Sequence, residues 1–314
     1  MIYTLTLNPA LDREMTVPEI ALDRVLRAKS IRTDYGGKGF NVSRALLALG
    51  TESIALGFIG GATGDQLISG LTQLGIHIDF VRVHGETRIN LSVVGEDHSH
   101  YFKVNEPGPL VSDDEITSML NKVSSFVKAG DWWILAGSSP PGIQPPMVGE
   151  IIRRVQAYGA YAALDMEDAS LREGCTSNVY LVKPNALEAS GLTGTQIITI
   201  QDALIALVKI QDMGAQRVVI SLGKTGAVYS DGHQVWWAKP PRIKERNPIG
   251  AGDAMLAGLI WALQKNLDGS QVLRWGVACG AAAASLDGTN MGSFTFVESL
   301  AADVQIGKGS IYKK

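Results

Sequence analysis

Asn247-Pro248-Ile249-Gly250-Ala251-Gly252-Asp253 leads without a break into a segment where Leu256, Leu259, Ile260 and Leu263 recur at the spacing of one helix face. The pattern predicts an amphipathic helix that starts on a run of small residues. Such residues let a ligand approach the backbone, and the first-turn N–H groups, unpartnered within the helix, form an anion site. Asp253 sets a carboxylate beside those donors, a poor phosphate ligand but a good proton acceptor. Donors for a phosphate next to a base for a hydroxyl is the layout of a phosphoryl-transfer site.

Outward from this stretch, short apolar runs at 53–59, 132–136, 161–165, 179–182 and 217–221 read as buried parallel strands, each followed by Gly, Pro, Ser or Asn. Between them, 41–49, 66–74, 113–127, 147–158 and 200–213 read as helices. The alternation predicts an α/β fold with a mostly parallel sheet covered on both faces, in one domain over 1–314. Ligands in such folds collect at the carboxyl ends of the strands. Two segments, about 13–33 and 88–104, break the alternation with mixed faces; they are expected to form a small β-sheet lid that also serves as a dimer contact.

Composition narrows the class. The chain has 314 residues, 46% hydrophobic and 19% charged, with a formal net charge of -3, which argues against nucleic-acid or anionic-membrane partners. Cys175 and Cys279 stand far apart without a C-x-x-C, so neither a disulfide framework nor a zinc site is indicated and a reducing cytoplasm fits. Met1 to Asn8 reads as a buried strand rather than a signal peptide. The apolar stretch 254–263 is about half the length that spans a bilayer, and the alanine-rich run 276–285 reads as a helix packed closely on a neighbour.

Further motifs carry a functional and a structural reading each. Asp12, in Asn8-Pro9-Ala10-Leu11-Asp12, is placed at the end of the first strand, where it would accept sugar hydroxyls or cap a turn. Gly36-Gly37-Lys38-Gly39-Phe40-Asn41 precedes a helix: Lys38 supplies charge, and Asn41 caps the helix or binds ligand. It is no Walker A motif, and Gly223-Lys224-Thr225 lacks the leading glycine because position 218 is Val218. Gly57, Gly60, Gly61 and Gly64 do not form G-x-G-x-x-G, so structural turns account for them. Gly137-Ser138-Ser139-Pro140-Pro141-Gly142 brings hydroxyls to the site edge or forms a stiff loop, and Arg88 holds a phosphate or is a solvated charge. Asn185 and Glu188, three apart at a helix start, would hold a water-bound Mg²⁺ or cap the helix. Ser221 to Ala227 reads as a strand-loop-strand able to pass under a nucleotide. His98 and His100 lack a third ligand and read as lid surface.

In this order the motifs resemble the ribokinase/PfkB sugar-kinase family, over the span from Leu5-Thr6-Leu7-Asn8-Pro9 to the alanine-rich helix near Gly280. Within it they resemble the branch acting on ketohexose phosphates, which includes 1-phosphofructokinases, tagatose-6-phosphate kinases and minor-type 6-phosphofructokinases. The resemblance implies a three-layer α/β/α sandwich with a β-lid, and ATP with Mg²⁺. It implies Asp253 as base and the N–H groups of Gly250, Ala251 and Gly252 as anion hole. Asp12, Gly37, Lys38, Asn41, Arg88 and Ser138 fall on sugar-phosphate positions, and Lys183, Asn185, Ser221, Gly223 and Gly226 on the ATP side. Glu188 falls on the Mg²⁺-water position. Dimerisation through the lid, with Arg27 reaching a neighbour's substrate, is also implied.

Three stretches set the chain apart. Pro248-Ile249 replaces the common Thr-Val, as in tagatose-6-phosphate kinases, whereas Thr87-Arg88-Ile89-Asn90 and Ala238-Lys239-Pro240-Pro241 are similar to 1-phosphofructokinases. Asp165-Met166-Glu167-Asp168 stands where Asp-Ser-Ser/Cys-Gly is usual.

Overall fold

Alternate residues of the strand Trp132–Gly137 feed two different cores. Trp132, Ile134 and Ala136 pack on one side of the sheet with the helices Lys38–Ala48, Ala251–Gln264 and Gly269–Ala284. Trp133 and Leu135 pack on the other with Asp113–Phe126 and Pro145–Ala157. Two-residue periodicity on a strand buried on both faces makes a three-layer sandwich. The computed structural model describes residues 1–309 except Leu22, His98 and Ser99.

The first strand, Ile2–Thr6, sits inside the large sheet and pairs in parallel with Ile54–Ile59 on one side and Trp132–Gly137 on the other. Beyond Trp132–Gly137 the parallel order continues through Tyr161–Met166, Leu181–Val182 and Arg217–Ser221. The chain order thus reverses at the first strand, and the crevice at that reversal opens at the carboxyl ends. Three antiparallel strands, Ala227–Ser230, Val235–Lys239 and Gln305–Lys308, complete an eleven-stranded sheet.

A separate four-stranded sheet runs in the order Ser30–Gly36, Ala10–Val17, Arg88–Gly95, Tyr101–Asn105. Its middle pair is parallel and its outer pairs antiparallel. These strands extend the expected segments 13–33 and 88–104 by a few residues. Asp12 therefore lies within a strand of the small sheet, opposite Asn90, and not at the end of the first strand, which stops at Thr6.

Two helices differ from the expected pattern. Lys38–Ala48 starts three residues before the expected 41, because Gly39 inside its first turn lets it press on the first strand, where a Cβ would lie 2.5 Å from Thr6 Oγ1. Ala251–Gln264 is buried on every face from Asp253 to Ala262, so it is not amphipathic. It is covered on both sides, by Lys38–Ala48 and by the alanine-rich Gly269–Ala284. Glycines set that last approach: a Cβ on Gly258 would meet the Trp275 carbonyl at 2.6 Å, and one on Gly276 would meet Leu259 at 2.7 Å. Among the described residues no helix is long and apolar enough to cross a membrane.

Candidate active site

Two helices begin at the crevice without a side-chain cap. Gly37 opens Lys38–Ala48 and Gly250 opens Ala251–Gln264. Five other helices are capped by side chains, Ser112, Asn185, Thr199, Asp268 and Ser293 each accepting from its own helix, while those that follow Gly60, Gln144 and Glu167 are not. Gly37, at φ 152°, passes so close to Phe40 and Thr6 that a Cβ would lie 2.9 Å from each, so only glycine fits. Gly250, at φ 80°, makes the left-handed turn into its helix. The N–H groups of Gly250 and Gly252 have no acceptor among the described residues, while that of Ala251 donates to the Pro248 carbonyl at 3.2 Å. Open helix N-termini attract anions.

A cavity of about 490 Å³ lies in front of both helix ends. Asp253 forms part of its wall and is almost wholly buried. The Asn41 amide donates to its Oδ2 at 2.8 Å, joining the two helix starts. Burial, then repulsion from Asp165, pushes the Asp253 carboxyl up to about 7 despite the bond from Asn41 and the charges of Lys183 and Lys38. A carboxyl group held near neutrality suits a general base.

The middle of the cavity holds a charge cluster from two strand ends and one helix start. Lys183 Nζ lies 2.9 Å from Asp165 Oδ2, both side chains being about 4% exposed. Lys38 Nζ lies 3.7 Å from Asp165 Oδ1 and 3.0 Å from Glu167 Oε1. Burial alone would lower the Lys38 ammonium, but Asp165 and Glu167 outweigh it and hold it raised, so it stays charged.

At the end facing the small sheet, the Asn90 amide donates to Asp12 Oδ1 at 2.7 Å. Burial holds the Asp12 carboxyl above its ordinary value. Arg88 is half-buried: its Nη2 donates to the Asn8 carbonyl at 3.0 Å and its Nη1 to the Glu106 carbonyl at 3.1 Å. Ser138 Oγ lies 3.5 Å from Arg88 Nη2. Thr6 Oγ1, Asn8 Oδ1, Asn41 Oδ1 and Arg88 Nε are buried without a partner among the described residues, and all four residues line the cavity. Orphaned polar atoms converging on a cavity await a ligand.

At the other end, Asn185 and Glu188 form a capping box: Asn185 N–H donates to Glu188 Oε2 at 2.8 Å and Glu188 N–H to Asn185 Oδ1 at 2.9 Å. The structural reading of this pair is therefore present, and it consumes the Asn185 oxygen. Glu188 still lines the cavity, with its carboxyl raised by burial and by Asp165. Ser221 lines it too, whereas Gly223 and Gly226 do not. Gly226 is required by packing, since a Cβ there would run into the Ala238 carbonyl. His100 is exposed, His98 lies outside the described residues, and no cluster of metal-ligating side chains occurs among those described.

Of the residues expected at the site, all but Ala251, Gly223 and Gly226 line this one cavity. It also takes in Lys103, Asn105, Asp165 and Glu167, which sequence reasoning did not place there. Asp165 could have been found as the carboxyl end of its strand. Lys103 and Asn105 alternate with Phe102 and Val104 on an edge strand, which sets them on one face.

A parallel α/β sheet whose carboxyl edge presents a buried carboxyl beside two open helix N-termini has the layout expected of an enzyme that moves phosphoryl groups. The chain belongs to the pfkB family of carbohydrate kinases, whose sequence pattern matches residues 6–294, and is thus an ATP-dependent phosphotransferase. It is 33% identical over 307 residues to the 1-phosphofructokinase of Bacillus subtilis, covering 98% of this chain and 99% of that one. It is 32% identical over 307 residues to the D-tagatose-1-phosphate kinase of Bacillus licheniformis, covering 98% and 99%. The crystal structure of phosphofructokinase-2 from Escherichia coli in complex with fructose-6-phosphate superposes with a TM-score of 0.88 at 32% identity, covering 96% and 98%.

Proposed function

We propose that the chain transfers the γ-phosphoryl group of ATP to the free primary hydroxyl of a ketohexose phosphate, with fructose 1-phosphate going to fructose 1,6-bisphosphate as the preferred reaction. The carrying observation is the Asn41-bonded Asp253 carboxyl, raised to about 7, beside the unpaired N–H groups of Gly250 and Gly252. Asp253 takes the hydroxyl proton as the acceptor oxygen attacks phosphorus in line, and the N–H groups bind the moving group. Asp12 and Asn41 orient the sugar hydroxyls. Arg88, Lys38 and Ser138, joined by Lys103, bind the phosphate the acceptor already carries.

Lys183, Asn185, Ser221 and Gly223 are assigned to the nucleotide side. Glu188, with one oxygen left by its capping box, would hold Mg²⁺ through water, as suits an ion that keeps its hydration. Bound Mg²⁺ neutralises phosphate charge. The four-stranded sheet serves as lid and, through its apolar outer face, as the contact between two copies. Two free buried cysteines fit a reducing cytoplasm.

A second reading, with fructose 6-phosphate or a tagatose phosphate as acceptor, is favoured by the names of the relatives and by Pro248-Ile249. ADP release measured over fructose 1-phosphate, fructose 6-phosphate, both tagatose phosphates, ribose and adenosine separates them. Highest kcat/KM on fructose 1-phosphate is expected. Preference for ribose or adenosine rules out the phosphate-bearing acceptor, and no turnover on any member overturns the ketohexose-phosphate reading.

A further inference from the structure

Glu167, in the stretch that departs from the family pattern, brings to the cavity a carboxylate that the transfer just described does not use. It is the N-cap of the helix Asp168–Thr176, yet its side chain makes no bond to that helix. Capping from this position is the habit of short side chains such as Asp or Ser, and the longer Glu167 is free to reach elsewhere. Glu167 Oε1 instead lies 3.0 Å from Lys38 Nζ on a different helix. The next residue, Asp168, adopts φ 52°, a left-handed conformation unfavourable for a residue with a Cβ. The chain thus directs this carboxylate to Lys38 and not to the helix it precedes.

Charge balance shows why this matters. The lining cations are Lys38, Arg88, Lys103 and Lys183; the carboxylates are Asp12, Asp165, Glu167, Glu188 and Asp253. With Asp253 ionised the lining carries one negative charge in excess, although both substrates arrive as anions. Asp12, Asp165 and Asp253 are each fixed by a partner, Asn90, Lys183 and Asn41. Glu188 is fixed by its capping box. Glu167 is 48% exposed and is held at Lys38, a surface-type pairing that yields readily to a competing anion. Its charge is also felt by Arg88, a second cation assigned to the phosphate.

We propose that Glu167 is an internal counter-ion that sets affinity for the phosphorylated acceptor, pairing with Lys38 in the open cavity and releasing that ammonium to a phosphate oxygen on binding. The claim rests on the sugar-phosphate reading of the cavity. Glu167 acts through Lys38, so it is a specificity-determining residue and not a catalytic one. An incoming phosphate must displace Glu167 and then tolerate its charge nearby. A neutral sugar faces neither demand.

The test is calorimetric titration of the wild type, Glu167→Gln and Glu167→Asp with fructose 1-phosphate, with inorganic phosphate and with fructose, alongside steady-state kinetics and thermal melts. Glu167→Gln is expected to bind fructose 1-phosphate and inorganic phosphate about tenfold more tightly, as removal of a close like charge in a partly exposed site predicts. KM for the sugar phosphate falls in step, affinity for fructose stays within twofold, and Glu167→Asp, which keeps the charge, stays near the wild type. No helix cap is lost, so the melting temperature changes little. Weaker binding by Glu167→Gln, which would make Glu167 a hydroxyl acceptor, overturns the proposal. So does an unchanged affinity for inorganic phosphate, or equal tightening toward fructose. A wild type that binds fructose 1-phosphate no better than fructose overturns the substrate reading instead, and inorganic phosphate still reads the Lys38–Glu167 claim.

Discussion

The carboxyl edge of the large sheet and the small sheet facing it hold their polar side chains in opposite ways. At the edge, Asp253 is fixed by Asn41, and Lys183 by Asp165, deep among residues with almost no exposure. On the small sheet, Tyr101–Asn105 is exposed along its whole length, and Lys103 and Asn105 reach the cavity from it. Groups that must meet a transition state within fractions of an ångström sit on the rigid layer. The groups proposed to recognise the acceptor are divided: Lys38, Asn41 and Ser138 sit on the rigid layer, while Asp12, Arg88 and Lys103 sit on the small sheet, whose outer strand has least packing and can follow the ligand. The difference predicts that substitutions at the buried pairs of the edge damage turnover or stability, and that small-sheet substitutions damage acceptor affinity or association.

The largest effect falls on the edge. Asp253→Asn is expected to lower kcat about a thousandfold, the middle of the range for losing a general base, with nucleotide affinity within a few fold. Near-wild-type turnover would remove Asp253 from the base role. The same substitution carries a stability signature. The Asp253 carboxyl titrates at about 7 in the fold against 3.8 in an unfolded chain, so the native state holds an extra proton between those values. Wild-type stability therefore declines as pH rises through that interval. Asp253→Asn should melt higher than the wild type at pH 8, with the gap closing towards pH 4. Wild-type kcat/KM should fall as pH drops below about 7, where the base becomes protonated.

The edge was also the more legible part in sequence. Glycines before a helix, and polar residues just after an apolar run, are local signals, and they gave Asp253, Lys38, Asn41 and Ser221, whereas Lys183 came only with the family resemblance. The small sheet was harder: Asp12 was assigned to the first strand because Asn8-Pro9 looks like an ending, while the chain turns there and begins a new strand. Asp165 pairs with a lysine eighteen residues on, a contact made by neighbouring strand ends rather than by spacing. At the antiparallel end of the sheet Val235–Lys239 pairs with the last described strand, Gln305–Lys308, a partner remote in sequence. The helix Ala251–Gln264 looked one-sided because its small residues do not register as apolar, yet they are where the next helix packs.

The next effect is structural. Lys183→Met should destabilise the fold by about 3 kcal/mol, because Asp165 is left buried with only the more distant Lys38 to offset it. Urea unfolding measures this, and a loss under about 1 kcal/mol would show that Lys38 alone compensates. Across the cavity, Arg88→Ala should raise KM for the sugar phosphate about tenfold or more while nucleotide KM stays within twofold. Unchanged acceptor KM would mean that the guanidinium serves only the Asn8 and Glu106 carbonyls it already binds.

The smallest effect on the single chain, and the sharpest on the contrast, comes from the small sheet's outer face. Pairing aligns Ile31 with Met15, Met15 with Val93 and Val93 with Phe102, an apolar row opposite the face that carries Asp12, Asn90 and Lys103. Nearer the large sheet this face is covered by the helix Gly61–Gln73, with the Tyr35 ring against Gly70. Further out the cover ends, and Ile31 and Phe102 are 62% and 42% exposed. Water against such a row is unfavourable, and a second copy laying the same row across it would bury both. Phe102→Lys should therefore lower the mass seen by sedimentation equilibrium from a dimer to a single chain at micromolar concentration. The side chain is already wet, so the melting temperature of the separated chains should hardly move. Phe102→Lys leaves Lys103 and Asn105 on the cavity face, so any accompanying rise in acceptor KM measures how far the partner steadies the recognition sheet. An unchanged mass would place the dimer contact elsewhere and leave this sheet to recognise the acceptor unaided.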